Sequence, residues 1–138
     1  MATTIHGFNG QYRFLSNFWP ASINYEGIEY CTTESAYQAS KTLDSTIRKH
    51  IAGLSPGQAK RYAKTILLRQ DWEFVKVGIM EQLLRLKFAI PELRQQLRMT
   101  GDAHLEETNH WGDRFWGVSS GVGENVLGQL LMKIREEI

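Results

Sequence analysis

Two stretches of the chain carry the residue types that chemistry on a small molecule requires. In Glu34-Ser35-Ala36-Tyr37-Gln38-Ala39-Ser40-Lys41, the residues Glu34, Gln38 and Lys41 fall at i, i+4 and i+7 and share one face of a helix. A carboxylate, an amide and an amine on one face can hold hydroxyls, carry a proton or pair with an anion. Helix physics gives a blander account of the same spacing, a solvated stripe with Glu34 at the positive N-terminal end and Lys41 toward the negative C-terminal end. The second stretch, Leu105 to Gly117, gathers Trp111, Trp116, Glu106, Glu107, Asp113, Asn109, His110 and Arg114. Its polar groups can orient a ligand while the indoles supply flat apolar surface for a base or sugar. Composition alone equally allows two tryptophans that fill a core.

Other arrangements point away from whole classes of chemistry. Ser119 to Asn125, with Gly121 and Gly123, can offer backbone N–H groups to an anion ahead of a helix, but its spacing matches neither a Walker loop nor a dinucleotide fingerprint. A glycine turn with positive φ is the alternative. The histidines stand apart at 6, 50, 104 and 110 and form no His-Glu-x-x-His pair, so no metal and no cofactor are expected. The single cysteine, Cys31, excludes an internal disulfide framework and reads as a small buried thiol in a β-favouring stretch. Ser119 and Ser120 lack the spacing of a nucleophile elbow.

These groups need a scaffold, and the chain is long enough to supply one. Its 138 residues, 42% of them apolar, predict a single globular domain over residues 1–138. Sixteen basic against fifteen acidic residues leave a net charge of +1, so an anionic partner must be held by a local cluster rather than by the bulk field. No run approaches the roughly 18 apolar residues of a membrane span, and the start of the chain lacks a signal-peptide pattern. A cytoplasmic protein is expected.

The N-terminal region, with Tyr12, Phe14, Phe18, Trp19, Ile23, Tyr25, Ile28 and Tyr30 between turn formers, predicts short strands. Glu26-Gly27 predicts a hairpin turn between Ser22–Tyr25 and Ile28–Thr32. Threonine ahead of Glu34 predicts a helix start. Further helices are expected over Asp44–Ala52, Pro56–Thr65, Gln70–Ala89, Pro91 to about Thr100, and Val126–Glu137. The apolar residues of Gln70–Ala89 are dense enough to predict a largely buried helix. The class is therefore α+β, predominantly helical.

Taken in order, Phe14-Leu15-Ser16-Asn17-Phe18, Tyr25-Glu26-Gly27, Thr33-Glu34-Ser35-Ala36-Tyr37-Gln38-Ala39-Ser40-Lys41, Leu86-Lys87-Phe88, Thr100-Gly101, Leu105-Glu106-Glu107, Asp113-Arg114-Phe115-Trp116-Gly117 and Gly123-Glu124-Asn125-Val126-Leu127-Gly128 span nearly the whole chain. This order and spacing resembles the NADAR, or YbiA-like, family. The resemblance implies an α+β domain that hydrolyses N-glycosidic bonds of ribosylated nitrogen compounds. The substrates implied are early phosphoribosylamino-pyrimidine intermediates of riboflavin biosynthesis, or ADP-ribose attached to guanine in nucleic acid. It further implies catalytic roles for Glu34, Lys41, Glu107 and Asp113, and substrate contacts from Asn17, Gln38, Trp111, Trp116, Gly117 and Asn125. Ser35 departs from the histidine of many relatives.

The implied reaction suits these residue types. Breaking an N-glycosidic bond builds positive charge on the sugar and negative charge on the departing nitrogen. Asp113 or Glu107 can steady the sugar cation or activate water, and Glu34 can hold ribose hydroxyls or move a proton. Lys41 can bind a phosphate, or attack the anomeric carbon as an amine if burial depresses its pKa. A non-catalytic ADP-ribose or nucleotide-binding module would use the same residues without turnover, and a structural interaction module would bind no small ligand.

Overall fold

Glu26 and Gly27 both adopt left-handed backbone, with φ of 50° and 85°. A type I′ hairpin turn has positive φ at both central positions, so that its twist matches the strands. It joins β2 (Pro20–Tyr25) to β3 (Ile28–Thr32), antiparallel with Tyr25 opposite Ile28 and Ile23 opposite Tyr30. A computed structural model describes residues 3–138. Met1 and Ala2, part of the expected domain, lie outside the described residues.

The chain divides into two compact units, Asn17–Ala89 and the segment ending at Ser16 together with Ile90–Ile138. In Asn17–Ala89 the hairpin is followed by α1 (Thr33–Ala39), α2 (Ser45–Ala52), α3 (Pro56–Tyr62), a 3-10 turn at Ala63–Thr65, and α4 (Trp72–Lys87). The expected starts are realised by side-chain caps. Thr32 accepts from the Ser35 N–H, Asp44 from the N–H groups of Thr46 and Ile47, and Ser55 with Gln58 closes a reciprocal capping box ahead of Pro56. Helix α1 packs against β2, β3, α2, α3 and α4, and all seven of its residues are buried.

The second unit holds β1 (Thr4–His6), parallel to β4 (His104–Glu106) with Ile5 opposite Leu105, and β5 (Thr108–Asn109), parallel to β6 (Val118–Ser119). Helices α5 (Pro91–Met99) and α6 (Val126–Glu137) complete it, with α6 packed on β4. The result is the expected predominantly helical α+β class. No helix among the described residues is long and apolar enough to cross a membrane.

Three expectations are corrected. Tyr12 and Phe14 lie in a 3-10 turn, Gly10–Leu15, rather than a strand; the segment closes on itself through the Tyr12 N–H to the Asn9 carbonyl. Cys31 is exposed, because the two-residue period that buries Tyr30 and Thr32 turns the residue between them outward. Helix α4 is one-sided. Trp72, Ile79, Met80, Leu83, Leu84 and Lys87 are buried, while Phe74 is 92% exposed, so apolar density overstated its burial.

Candidate active site

Helix α1 brings Glu34 and Gln38 together inside the protein rather than on its surface. One turn apart, they are 8% and 3% exposed, and Gln38 Nε2 donates to Glu34 Oε1 at 2.8 Å. The solvated-stripe account fails here, because all seven residues of the helix are buried, the polar Thr33, Glu34, Ser35 and Gln38 included. Buried polar groups ordinarily find partners. Gln38 Oε1, Thr33 Oγ1 and Asn17 Oδ1 are nevertheless shielded atoms without a hydrogen-bond partner. Asn17 joins this helix through its backbone carbonyl, which accepts from the Glu34 N–H at 3.0 Å, and its Nδ2 lies 3.6 Å from Met80 Sδ.

Lys41 does not continue the helical face. Helix α1 ends at Ala39, where the Ser40 hydroxyl donates to the Ala36 carbonyl at 2.7 Å, and Lys41 sits in the following turn. Its ammonium lies 5.6 Å from the Tyr37 ring centroid and 6.0 Å from that of Trp72, and the two rings are 5.2 Å apart. Burial pushes the Lys41 pKa below the ordinary lysine value. Glu34 opposes that shift, and Lys60, Lys64 and Lys76 add to it. An amine in this setting carries less of the proton that would block nucleophilic attack.

Lys87 was not singled out from the sequence as a site residue. It is fully buried, its Nζ lies 5.1 Å from the Phe88 ring centroid, and desolvation brings its pKa down to about 7. The signal was its spacing, because Met80, Leu83, Leu84 and Lys87 share the buried stripe of α4.

In the other unit, a different network surrounds Glu107. The buried Asn109 donates from Nδ2 to Glu107 Oε2 and to the Asp113 carbonyl, each at 2.9 Å, and accepts from the Asp113 N–H at 3.1 Å. Asp113 Oδ1 accepts from the N–H groups of Phe115 and Trp116, at 3.1 and 2.9 Å, so one of its oxygens is committed to shaping the loop. Gly117 passes against Glu107 where a Cβ would overlap both the Glu107 carboxylate and its carbonyl. Trp111 is 56% exposed, so it does not fill a core, and it meets His110 edge-on. Trp116 is half-buried and packs edge-on against Phe115.

Asn125 has left-handed backbone, φ 53° and ψ 43°, and a buried side chain bonded to the chain at β4. Its Oδ1 accepts from the Glu107 N–H and its Nδ2 donates to the Leu105 carbonyl, both at 2.9 Å. The N–H groups of residues 124 to 127 donate to the carbonyls of Arg114, Gly117, Phe115 and Trp116 respectively. The glycine stretch before α6 is therefore a turn bonded to its own chain, not an open anion cradle. No group of three His, Cys, Asp or Glu side chains among the described residues is placed to hold a metal.

The comparisons with known proteins agree with this architecture. The NADAR domain model matches residues 6–138, across both units. N-glycosidase YbiA of Escherichia coli strain K12 is 38% identical, over all of this chain and 91% of its own length. A riboflavin biosynthesis protein of Vibrio vulnificus is 38% identical over 91% of this chain, which spans only 35% of that longer protein. The NMR structure of E. coli YbiA superimposes with a TM-score of 0.85, covering 99% of this chain and 86% of that one, at 38% identity. This chain belongs to the NADAR domain family.

Proposed function

We infer that the chain is an N-glycosidase, a hydrolase of N-glycosyl bonds, and that its substrates are phosphorylated ribosylamines of the kind that precede riboflavin. The names of its relatives support the bond type and the metabolite class. The carrying observation is the buried Glu34–Gln38 pair on α1, with shielded acceptors at Gln38 and Asn17 and an aromatic-backed amine at Lys41 in the turn beyond.

Shielded carbonyl acceptors suit sugar hydroxyls, since a buried acceptor left unmade costs about 1–3 kcal/mol and a donor from a ligand removes that cost. Glu34 then moves the proton that the departing nitrogen needs. Lys41 adds as an amine to C1′ of the ring-opened sugar, the original nitrogen leaves with its proton, and water hydrolyses the resulting C1′=N bond to regenerate the amine. The net reaction adds one water across the C1′–N bond. Of the carboxylates in the second unit, Glu107 is assigned to steadying positive charge on the sugar, and Asp113 to holding the loop that carries Trp116. Trp111 and Trp116 are assigned to stacking on the base, and Gly117 and Asn125 to shaping the Glu107 segment. The hydrolytic steps use no cofactor or metal, and we read the enzyme as cytoplasmic.

Product analysis tests the reading. The enzyme and a Glu34→Ala control are mixed separately with the early phosphoribosylamino-pyrimidines and with an ADP-ribosylated guanine oligonucleotide. Release of ribose 5-phosphate from the first, absent in the control, is expected. Release of ADP-ribose from the oligonucleotide alone would move the substrate to nucleic acid. Ligand binding without turnover would make the chain a binding module.

A further inference from the structure

The turn carrying Lys41 is held by its own backbone, Lys41 N–H to the Gln38 carbonyl at 3.2 Å and Thr42 N–H to the Ala39 carbonyl at 3.3 Å, and from outside by Arg69. The Arg69 backbone N–H donates to the Lys41 carbonyl at 2.8 Å, and Arg69 Nη1 donates to the Ser40 carbonyl at 3.3 Å. The Arg69 carbonyl accepts from the N–H of Trp72, whose ring backs the Lys41 ammonium. Asp71 orients the guanidinium, with Nε to Oδ1 at 2.7 Å and Nη2 to Oδ2 at 3.1 Å. Such a two-pronged pair fixes direction as well as charge. The arginine side chain is 15% exposed and the aspartate 50% exposed, so the pair lies at the protein's edge with its guanidinium turned inward.

The geometry points to Arg69 as a positioning residue, oriented by Asp71, that sets how deeply the Lys41 amine sits against Tyr37 and Trp72. The inference rests on the reading of Lys41 as functional. Both backbone anchors converge on one residue: the turn bearing the amine and the first residue of the helix bearing its aromatic wall. Every substitution of Arg69 other than proline keeps the backbone N–H, so side-chain variants remove only the hold on Ser40 and the pairing with Asp71. The turn then keeps its backbone bonds but loses the guanidinium at the Ser40 carbonyl, which loosens the seating of the Lys41 amine in the surroundings that act on it. Those comprise Glu34 on α1, Lys60 on α3, Lys64 in the 3-10 turn and Lys76 on α4.

The test reads Lys41 directly. Competitive acetylation of the full-length protein with acetic anhydride, followed by peptide mass spectrometry across the lysine titration range, gives the midpoint at which Lys41 becomes reactive. Arg69→Gln is expected to raise that midpoint toward that of an ordinary lysine. Asp71→Asn shifts it less in the same direction, and Lys133 stays unchanged in both. Turnover of the phosphoribosylamino-pyrimidines falls about ten-fold or more in Arg69→Gln, mainly in kcat. Unchanged Lys41 midpoints in folded variants would overturn the inference. Should Arg69→Gln fail to fold, the half-exposed Asp71→Asn decides alone, a shift supporting the inference and no shift overturning it. Wild-type turnover in Lys41→Ala would instead remove Lys41 from the reaction, leaving the acetylation midpoints to decide on Arg69.

Discussion

Asn109 holds the Glu107 carboxylate by a 2.9 Å hydrogen bond from Nδ2, and the same amide bridges the backbone of Asp113. One buried side chain thereby sets both the direction of a carboxylate and the start of the loop bearing Trp116. Asn109→Asp replaces the donor with an acceptor and sets two carboxylates against each other. Urea unfolding is expected to show a loss of about 2 kcal/mol. A loss under about 0.5 kcal/mol would mean that the network rearranges freely.

Gly117 has no alternative residue. A methyl group there would overlap the Glu107 carbonyl and carboxylate, and the backbone oxygen has no flexible arm with which to retreat. Gly117→Ala is expected to destabilise the protein by about 2 kcal/mol or more in thermal or urea unfolding. A variant as stable as the wild type would show that β5 and β6 can separate without penalty.

Lys87 makes stability depend on pH. Its folded pKa of about 7 lies below the ordinary lysine value of 10.5, so between these values the unfolded chain binds more protons than the folded one. Stability from this group therefore rises with pH across that window, and the burden of a buried charge is fully present below it. Relative to Lys87→Met, the wild type should gain roughly 3 kcal/mol between about pH 6.5 and pH 9.5. Parallel unfolding free energies for the two proteins would show that Lys87 is charged throughout.

Glu34→Gln keeps an oxygen able to accept from Gln38 Nε2 and removes the charge and the transferable proton. Turnover of the phosphoribosylamino-pyrimidines should fall by about 100-fold or more with an unchanged circular dichroism spectrum. Near-wild-type turnover would take the carboxylate out of the reaction.

Lys41→Arg retains a cation but no amine able to form a C1′=N bond. Substrate is expected to bind, by thermal shift, without being hydrolysed. Sustained hydrolysis would reduce Lys41 to a phosphate partner and end the covalent route.

Local chemistry written in the sequence determined the class and most of the elements. Glu26-Gly27 made a hairpin turn because Gly27 takes left-handed backbone without a Cβ penalty, Glu26 following it there, and Thr32, Asp44 and Ser55 started helices because their oxygens satisfy first-turn N–H groups. The final helix, Val126–Glu137, followed from its apolar spacing. The ordered motifs also carried the family, since so many spaced blocks constrain one another. Burial was different, because it depends on what packs against a residue from distant parts of the chain. Only the tertiary structure put Glu34 and Gln38 inside rather than on a wet stripe, exposed Cys31 and Phe74, and buried Lys87. It also decided that the Asn125 side chain bonds to β4 and that Arg69 anchors the Lys41 turn. Those hydrogen bonds join residues far apart in sequence, and no local propensity encodes which of many possible partners the folded chain brings within reach.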